Sequence, residues 1–244
     1  MSYFEGFLVP VPAENRETYR KHAADAAPLF HEFGVIRHVE AWGDELPEGK
    51  VTDFRMAVAA TEGEQVVFSW FEYPSRQARD AANEKIMSDP RMEQLGGEMP
   101  FDGKRMVMGG FAAIVDEGST PGVYMDGYVV PVRDDNRDGY LAQAQKAAGI
   151  FRELGALRVV EAWADDVPDG KVTDFRRAVK AEDGESVVFS FVEWPDKPTR
   201  DAAYKSMMAD DRMKDDAMQF DGKRMIYGGF VPIVDSVARE QADA

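Results

Sequence analysis

The segment KVTDFR occurs twice in this chain, at Lys50–Arg55 and again at Lys171–Arg176. FDGKRM is repeated in the same way, at Phe101–Met106 and Phe220–Met225. The copies are 121 residues apart for the first segment and 119 for the second, so one loop is shorter in the second half. A repeat of this length is a whole small domain and not a solenoid unit. The 244-residue chain is therefore predicted to be one domain written twice.

Composition narrows the classes of function. The formal net charge is −16, which disfavours nucleic acid and anionic membranes as partners, so neither is expected. With no cysteine, disulfides, thiolate metal sites and thiol nucleophiles are excluded. The N-terminal MSYFEGFLVP has no basic region before an apolar stretch, so no signal peptide is predicted and a cytoplasmic location is expected.

Each copy has the same pattern of secondary structure. Alternating apolar residues predict strands, and the recurrence of apolar residues from Tyr19 to Phe33 predicts a helix that ends at Gly34. The order β-α-β-β-α-β is that of a ferredoxin-like unit, which predicts an α+β fold with two tandem domains. In the first copy the predicted strands are 3–11, 35–42, 65–73 and 104–115, with a second helix at 75–87. The predicted boundaries are domains at 1–117 and 123–236, a linker at 118–122 and a polar tail at 237–244.

Several longer segments carry a family resemblance. VEAWGDELPEGKVTDF, VVFSWFEYP, RDAANEKIMSDPRM and FDGKRMVMGGF resemble the YbaA-like family of uncharacterised bacterial proteins. The resemblance covers essentially all of both copies, whereas members usually correspond to a single copy. It implies a dimeric α/β barrel, in which two ferredoxin-like sheets pack together, and it supplies no activity and no catalytic residues.

The apolar strand faces also predict how the copies associate. Phe68, Trp70 and Phe111 are too large and apolar to leave in water, since burial of each contributes roughly 1.5–3 kcal/mol. The second copy offers a matching face with Phe189, Phe191 and Phe230. The chain is therefore expected to form an intramolecular pseudo-two-fold pair, present as a monomer or as a dimer of such pairs.

A first candidate site comes from charged residues on apolar strand faces. If Glu40, Glu72 and Arg105 converge beside Trp42, they form a ligand pocket with acid–base capability. The alternative is that both glutamates lie at strand ends and pair with Arg105 only to satisfy charge. The corresponding candidates in the second copy are Glu161, Trp163, Glu193 and Arg224.

A second candidate is the repeated loop itself, because loops on a rigid scaffold often carry function. Its charged residues are Lys50, Asp53 and Arg55, with Lys171, Asp174 and Arg176 in the second copy. The alternative is a structural loop, held by a Lys–Asp–Arg network with Phe54 anchored in the core.

The histidines do not repeat, and this argues against a doubled metal or haem site. No phosphate-binding loop and no nucleophile elbow is present. No metal, haem, flavin or nucleotide is therefore expected, although one site using His38 beside Glu40 remains open. The three positions, His22, His31 and His38, align with Gln143, Arg152 and Val159.

Two functions follow from these patterns. The first is a small-molecule-binding protein with one pocket in each copy, whose chemistry, if it is an enzyme, would be cofactor-independent acid–base catalysis. The second is a non-catalytic interaction or stress-associated protein without a ligand pocket. A cavity lined by Glu40, Trp42, Glu72 and Arg105 favours the first function, and a filled interior favours the second.

Overall fold

The protein has an α+β fold built around one closed antiparallel barrel. The structure is a computed structural model that describes residues 2–95, 99–213 and 217–238. Most of the predicted polar tail, residues 239–244, lies outside this range. No helix among the described residues combines the length and apolarity needed to cross a membrane.

The predicted order of strands and long helices is confirmed in both halves, with β2 and β4 beginning two or three residues later than predicted. The first half contains β1 (Tyr3–Pro12), α1 (Arg16–Phe33), β2 (Arg37–Glu45), α2 (Phe54–Ala57), β3 (Glu64–Tyr73), α3 (Arg76–Ser88), α4 (Pro90–Leu95) and β4 (Val107–Gly118). The second half contains β5 (Tyr124–Arg133), α5 (Arg137–Glu153), β6 (Arg158–Asp166), α6 (Phe175–Ala178), β7 (Glu185–Trp194), α7 (Lys197–Ala209) and β8 (Ile226–Val237).

Local sequence signals fix the helix ends. Gly34 ends α1 with a φ of 115°, a left-handed conformation that glycine adopts without a steric penalty. Ser75 begins α3 by accepting a hydrogen bond from the backbone amide of Ala78 (3.2 Å). Asp196 begins α7 in the same way through Thr199 (2.7 Å). Such caps satisfy amides that have no partner inside the helix.

The barrel is assembled from both halves of the chain. Its strand order is β1-β3-β2-β8-β5-β7-β6-β4, with antiparallel pairing throughout the described strands. Each half contributes four neighbouring strands, and the halves meet along β2–β8 and β4–β6. Both outer strands of each half-sheet are therefore paired, and the described part of the barrel has no open edge.

Aromatic side chains from the two halves fill the barrel interior. Phe68 stacks on Phe189 with ring centroids 4.5 Å apart, and Trp70 stacks on Phe191 at 4.1 Å. These rings belong to one hydrophobic core that spans both halves. The apolar faces singled out in the sequence thus cover each other within one chain.

The long helices lie on the outside of the barrel. Because side chains alternate along a strand, each strand sends one set of residues into the barrel and the other set toward the helices. α1 and α3 face the outer surface of the first half-sheet, and α5 and α7 face that of the second. Two cavities lie in these outer layers, one in each half.

Candidate functional site

The structure does not bring Glu40, Glu72 and Arg105 together, so the predicted common pocket is wrong. Arg37 of β2 pairs with Glu72 of β3, and Glu40 pairs with Ser69. Glu40 and Arg37 are three residues apart, and an odd separation places side chains on opposite faces of a strand. Glu72 therefore points into the barrel, whereas Glu40 points toward the helices.

Glu72 and Glu193 are each bound by an arginine of the opposite half. Arg158 donates to both carboxylate oxygens of Glu72, each at 2.8 Å. Arg37 donates to those of Glu193 at 2.8 and 2.6 Å. All four side chains are buried at the ends of the barrel interior. These reciprocal ion pairs join the two halves, and neither pairing was among the sequence-based alternatives.

Arg105 and Arg224 also have partners other than those predicted. Arg105 donates to both oxygens of Glu64 at 2.7 Å and to Asp102 at 2.8 Å. The hydrogen bonds from Arg105 are the main reason that the pKa of Glu64 is lowered to about 2. Arg224 forms the same arrangement with Glu185. Both arginines therefore anchor the segment before the last strand of each half.

The two candidate tryptophans, Trp42 and Trp163, each lie beside an arginine on the outer face of the barrel. The guanidinium of Arg16 lies 5.6 Å from the ring centroid of Trp42, and Arg137 lies 5.3 Å from that of Trp163. The Trp163 ring also contacts Tyr140 edge-on, at 6.2 Å between centroids. Neither tryptophan lines the cavities described below.

The repeated KVTDFR segment closes the barrel interior with the buried phenyl ring of Phe54. Phe54 is buried against Phe68 and Phe230, as its predicted anchoring role requires. Asp53 accepts hydrogen bonds from two backbone amides and so begins α2, while Arg55 donates to backbone carbonyls. None of the six charged candidates lines either cavity described below: Lys50, Asp53, Arg55, Lys171, Asp174 and Arg176.

A cavity of about 350 Å³ lies in the first half, between the outer face of β1, β3 and β2 and the helices α1 and α3. Aromatic and methionine side chains make up most of its wall, and polar groups stand mainly on its floor. The lining residues are Glu5, Phe7, Val9, Tyr19, His22, Ala23, Ala26, Phe30, His38, Glu40, Ser69, Phe71, Asn83, Ile86, Met87, Met92, Leu95, Met99, Phe101, Met106 and Met108.

Glu40 is the centre of a polar cluster on this floor. The hydroxyl of Tyr19 donates to Glu40 Oε2 at 2.7 Å, and His38 Nε2 lies 2.8 Å from Glu40 Oε1. Burial, and then the charge of Glu40, raises the pKa of Tyr19 well above its ordinary value, so the phenol remains a donor. The second ring nitrogen of His38, Nδ1, is buried without a hydrogen-bond partner among the described residues.

Glu5 is a second carboxyl group on the same floor. It accepts a hydrogen bond from Asn83 at 2.9 Å and lies 3.5 Å from the Tyr73 hydroxyl. Burial raises its pKa, and the bond from Asn83 and the nearby charge of Arg79 partly oppose this. The cavity therefore contains two carboxyl groups, those of Glu5 and Glu40, and most of the other lining side chains are apolar.

The second half contains a cavity of the same construction, of about 300 Å³, between its half-sheet and the helices α5 and α7. The Tyr140 hydroxyl donates to Glu161 Oε2 at 2.7 Å, which repeats the Tyr19–Glu40 contact. The lining residues are Tyr128, Val130, Tyr140, Gln143, Ala144, Lys146, Ala147, Phe151, Glu161, Ser190, Val192, Tyr204, Met207, Arg212, Met218, Phe220 and Met225.

The electrostatics of Glu161 differ from those of a surface carboxyl group. Its side chain borders the cavity and keeps some accessible surface, but it lies deep beneath α5. Burial raises its pKa to about 7, and hydrogen bonds from Tyr140 and Ser190 partly offset this. A carboxyl group that titrates near neutral pH in a cavity is a recognised feature of functional sites.

The carboxyl group that corresponds to Glu5 is held more tightly in the second half. Asp126 accepts from the indole nitrogen of Trp194 at 2.8 Å and forms an ion pair with Arg200 at 2.7 Å. The hydroxyl groups of Tyr128 and Tyr204 are in direct contact beside it. The two cavities thus share a glutamate–tyrosine pair but differ in their other polar groups.

Sequence reasoning found Glu40 and Glu161 but missed the tyrosines and Glu5. Apolar periodicity identifies Tyr19 only as a packing position of a helix, although the second repeat keeps a tyrosine, Tyr140, 121 residues later. Within the described residues, no group of three or more His, Cys, Asp or Glu side chains is arranged to hold a metal ion.

Comparison with known proteins identifies the family. The profile of a family described as "Protein of unknown function (DUF1428)" matches residues 2–103 and again 123–222. The chain belongs to the DUF1428 family. A DUF1428 relative, the uncharacterised protein YbaA of Escherichia coli K12, is 63% identical over 117 residues, which is 48% of this chain and 100% of YbaA.

Solved structures with the same fold are distant from this DUF1428 protein in sequence. A proposed monooxygenase from Lactobacillus acidophilus has a TM-score of 0.58 at 11% identity, with 97% of this chain and 96% of that chain covered. An anthrone oxidase-like protein has a TM-score of 0.53 at 11% identity, with 100% and 96% covered. At this identity the likeness is one of fold.

Proposed function

We propose that each half of the protein binds one small, mainly apolar molecule in the cavity between the barrel and its helices. The observation that carries this proposal is the repeated contact on the two cavity floors. Tyr19 bonds Glu40, and Tyr140 bonds Glu161, each at 2.7 Å. A cavity of some hundreds of cubic ångströms with apolar walls and a few converging polar groups is the usual form of a ligand site.

The lining supports a ligand with an apolar body and one polar group. Aromatic rings offer flat contact surfaces, and methionines adapt to irregular shapes because their side chains are flexible and polarisable. In the first half, five methionines line the cavity: Met87, Met92, Met99, Met106 and Met108. The glutamate then orients the polar group of the ligand.

If the bound molecule reacts, we propose cofactor-independent acid–base chemistry. Glu40 and Glu161 are the groups that would exchange a proton with the ligand, and Tyr19 and Tyr140 would position them. A catalytic carboxyl group works best when its pKa is near the operating pH, and the value of about 7 for Glu161 meets that condition. A non-catalytic interaction protein remains the alternative, but the paired cavities favour ligand binding.

The same proposal includes the organisation of the chain. We propose two tandem ferredoxin-like domains at 1–117 and 123–236, joined by 118–122 and followed by the tail 237–244. The two family matches, at 2–103 and 123–222, support this division. We propose a cytoplasmic protein in which the intramolecular pair is the minimal folded unit, alone or as a dimer of pairs.

Thermal-shift screening against a metabolite library tests the binding proposal. A ligand that binds only the folded state at about 100 times its Kd stabilises it by about 2.7 kcal/mol. We expect the shift to disappear in Glu40→Gln or Glu161→Gln, according to the cavity used, when each variant is compared with its own unliganded Tm and the fold is intact. Glu62→Gln, at an exposed position, is the matched control. A ligand whose shift survives in the double variant Glu40→Gln/Glu161→Gln would contradict the proposal.

A further inference from the structure

One of the positions at which the two halves differ lies next to the cavity glutamate on its strand. In the first half, the imidazole of His38 lies against Glu40, with Nε2 2.8 Å from Oε1. Its counterpart in the repeat is Val159, a buried apolar side chain beside Glu161. The first glutamate therefore has an imidazole against one of its carboxylate oxygens, whereas the second has methyl groups in that place.

Among the described residues, the side chains that hydrogen-bond Glu161 are neutral hydroxyls. Tyr140 donates to it at 2.7 Å, and Ser190 is the other hydrogen-bonding side chain that acts on it. No charged group is among the causes of its raised pKa, which is mainly due to burial. A buried carboxylate without a cation is costly, so a ligand that brings a positive charge would remove that cost.

Two cations line the solvent edge of this cavity, and they face other acidic groups. Arg212 forms ion pairs with Asp210 at 2.8 Å and with Glu153 at 2.9 Å. Arg212 first, and Lys146 to a smaller extent, hold the pKa of Asp210 below its ordinary value. Both cations are exposed at the mouth, whereas Glu161 lies on the floor.

Aromatic rings line this cavity together with Glu161. Five of the lining residues are aromatic: Tyr128, Tyr140, Phe151, Tyr204 and Phe220. The faces of aromatic rings attract cations, and cages of such rings recognise quaternary ammonium groups. The net charge of −16 also favours the approach of a cation over that of an anion.

We propose that the second-half cavity binds an organic cation with an apolar body, a tertiary or quaternary ammonium compound, with Glu161 as its counter-charge. The first-half cavity does not share this preference, because His38 already lies against Glu40 and Arg79 lies 3.8 Å from Glu5. This inference rests on the proposed function, in which both cavities are ligand sites, and it adds the charge of the ligand in one of them.

Calorimetric titration with benzyltrimethylammonium at pH 8 tests the inference, with its uncharged carbon analogue, neopentylbenzene, as the matched probe. We expect wild-type protein to bind one cation per chain. Glu161→Gln should weaken cation binding at least about tenfold and change neopentylbenzene binding much less. Glu40→Gln, the same substitution in the other cavity, should leave cation binding unchanged.

Exchange of the residues at this position provides a gain and a loss of binding. His38→Val should create a second cation site per chain, and Val159→His should remove the existing one while neopentylbenzene still binds. Because a larger side chain at Val159 can disturb packing, the gain in His38→Val is the decisive result, with the Tm of each variant measured first.

The outcomes separate the two proposals. Equal cation affinity in wild type and Glu161→Gln, or loss of binding in Glu40→Gln alone, would overturn the inference. So would binding of neopentylbenzene without binding of the cation, and the proposed function would stand. Binding of neither probe to either cavity would count against the proposed function as well.

Discussion

The ring of Phe189 occupies the space beside Gly6 into which any side chain at that position would project. A Cβ on Gly6 would lie 2.8 Å from a carbon of that ring, closer than real contacts allow. The relationship is reciprocal, because a Cβ on Gly127 would lie 2.8 Å from the ring of Phe68. Each half thus lacks a side chain where the other half places a phenylalanine.

This contact predicts that Gly6→Ala destabilises the protein. The added methyl group would displace the Phe189 ring within a packed core, which typically costs about 1–3 kcal/mol. Urea denaturation, monitored by tryptophan fluorescence, measures the change in the free energy of unfolding. Gly149→Ala is the matched control, because nothing lies within 4 Å of a Cβ there and the residue is in α5. That control should stabilise by about 0.5–1 kcal/mol, and equal effects at both sites would contradict the packing argument.

The reciprocal arginine–glutamate pairs predict that residues 1–118 alone form a homodimer or aggregate. Within this fragment Arg37 loses Glu193 and Asp235, its partners in the second half. A buried charge without a partner costs about 3–5 kcal/mol. A second copy can supply Glu72 in place of Glu193, because the halves share one construction. Light scattering after size-exclusion chromatography gives the mass, and a folded, soluble monomer would show that the pairing is not required.

The raised pKa of Glu161 predicts a pH dependence of stability. Its folded-state pKa is about 7, and an unfolded glutamate has a pKa of about 4.3. Between these values the folded state holds a proton that the unfolded state releases. The stability contributed by this group is therefore present at low pH, and it is lost as the pH rises toward 7.

Glu161→Gln should abolish this loss. The difference in the free energy of unfolding between the variant and wild type should increase in favour of the variant, by on the order of 2 kcal/mol, as the pH rises from 5 to 8. Urea denaturation at each pH provides the comparison. Tyr140→Phe is a companion variant: it removes a hydrogen bond that lowers the pKa of Glu161, so the decline should move to higher pH. A pH-independent difference between wild type and Glu161→Gln would contradict the assignment.

The hydrogen bonds of Asp53 predict that substitutions in the repeated KVTDFR segment affect stability and not ligand binding. Its carboxylate accepts hydrogen bonds from the amides of Met56 at 2.8 Å and Gly49 at 3.0 Å. Asp53→Ala should lower the free energy of unfolding by about 1 kcal/mol, the usual cost of losing such a cap, and Asp53→Asn by less. Ligand binding in the cavities should not change. Loss of binding at unchanged stability would instead support a direct functional role for this loop.

Much of the fold could be predicted from the sequence, because repetition and alternation are local signals. The two copies, their strands and helices and the end of α1 at Gly34 all follow from residues close together in the chain. The alternation also gave the correct set of residues on each face of β2 and β3. It could not show which set of residues on β2 lies on the same face of the sheet as Glu72 of β3. That depends on the register of the two strands, in which Arg37 pairs with Glu72.

The site was harder to predict because its contacts join distant segments. The partner of Glu72 is Arg158, and that contact exists only because β4 pairs with β6 to close the barrel. The Tyr19 hydroxyl reaches Glu40 from a helix that also packs through its ring, so apolar periodicity concealed the polar contact. Periodicity describes where a side chain points, and it does not describe what its terminal atom meets.

Because the two halves are joined in one chain, their sequences can differ from each other. In an assembly of identical subunits, any substitution in one cavity appears in the other as well. Here His38 and Val159 are encoded separately, so one cavity can change while the other keeps its composition. The result is equivalent to a heterodimer whose subunits are always present in equal amounts, never exchange partners and never separate on dilution.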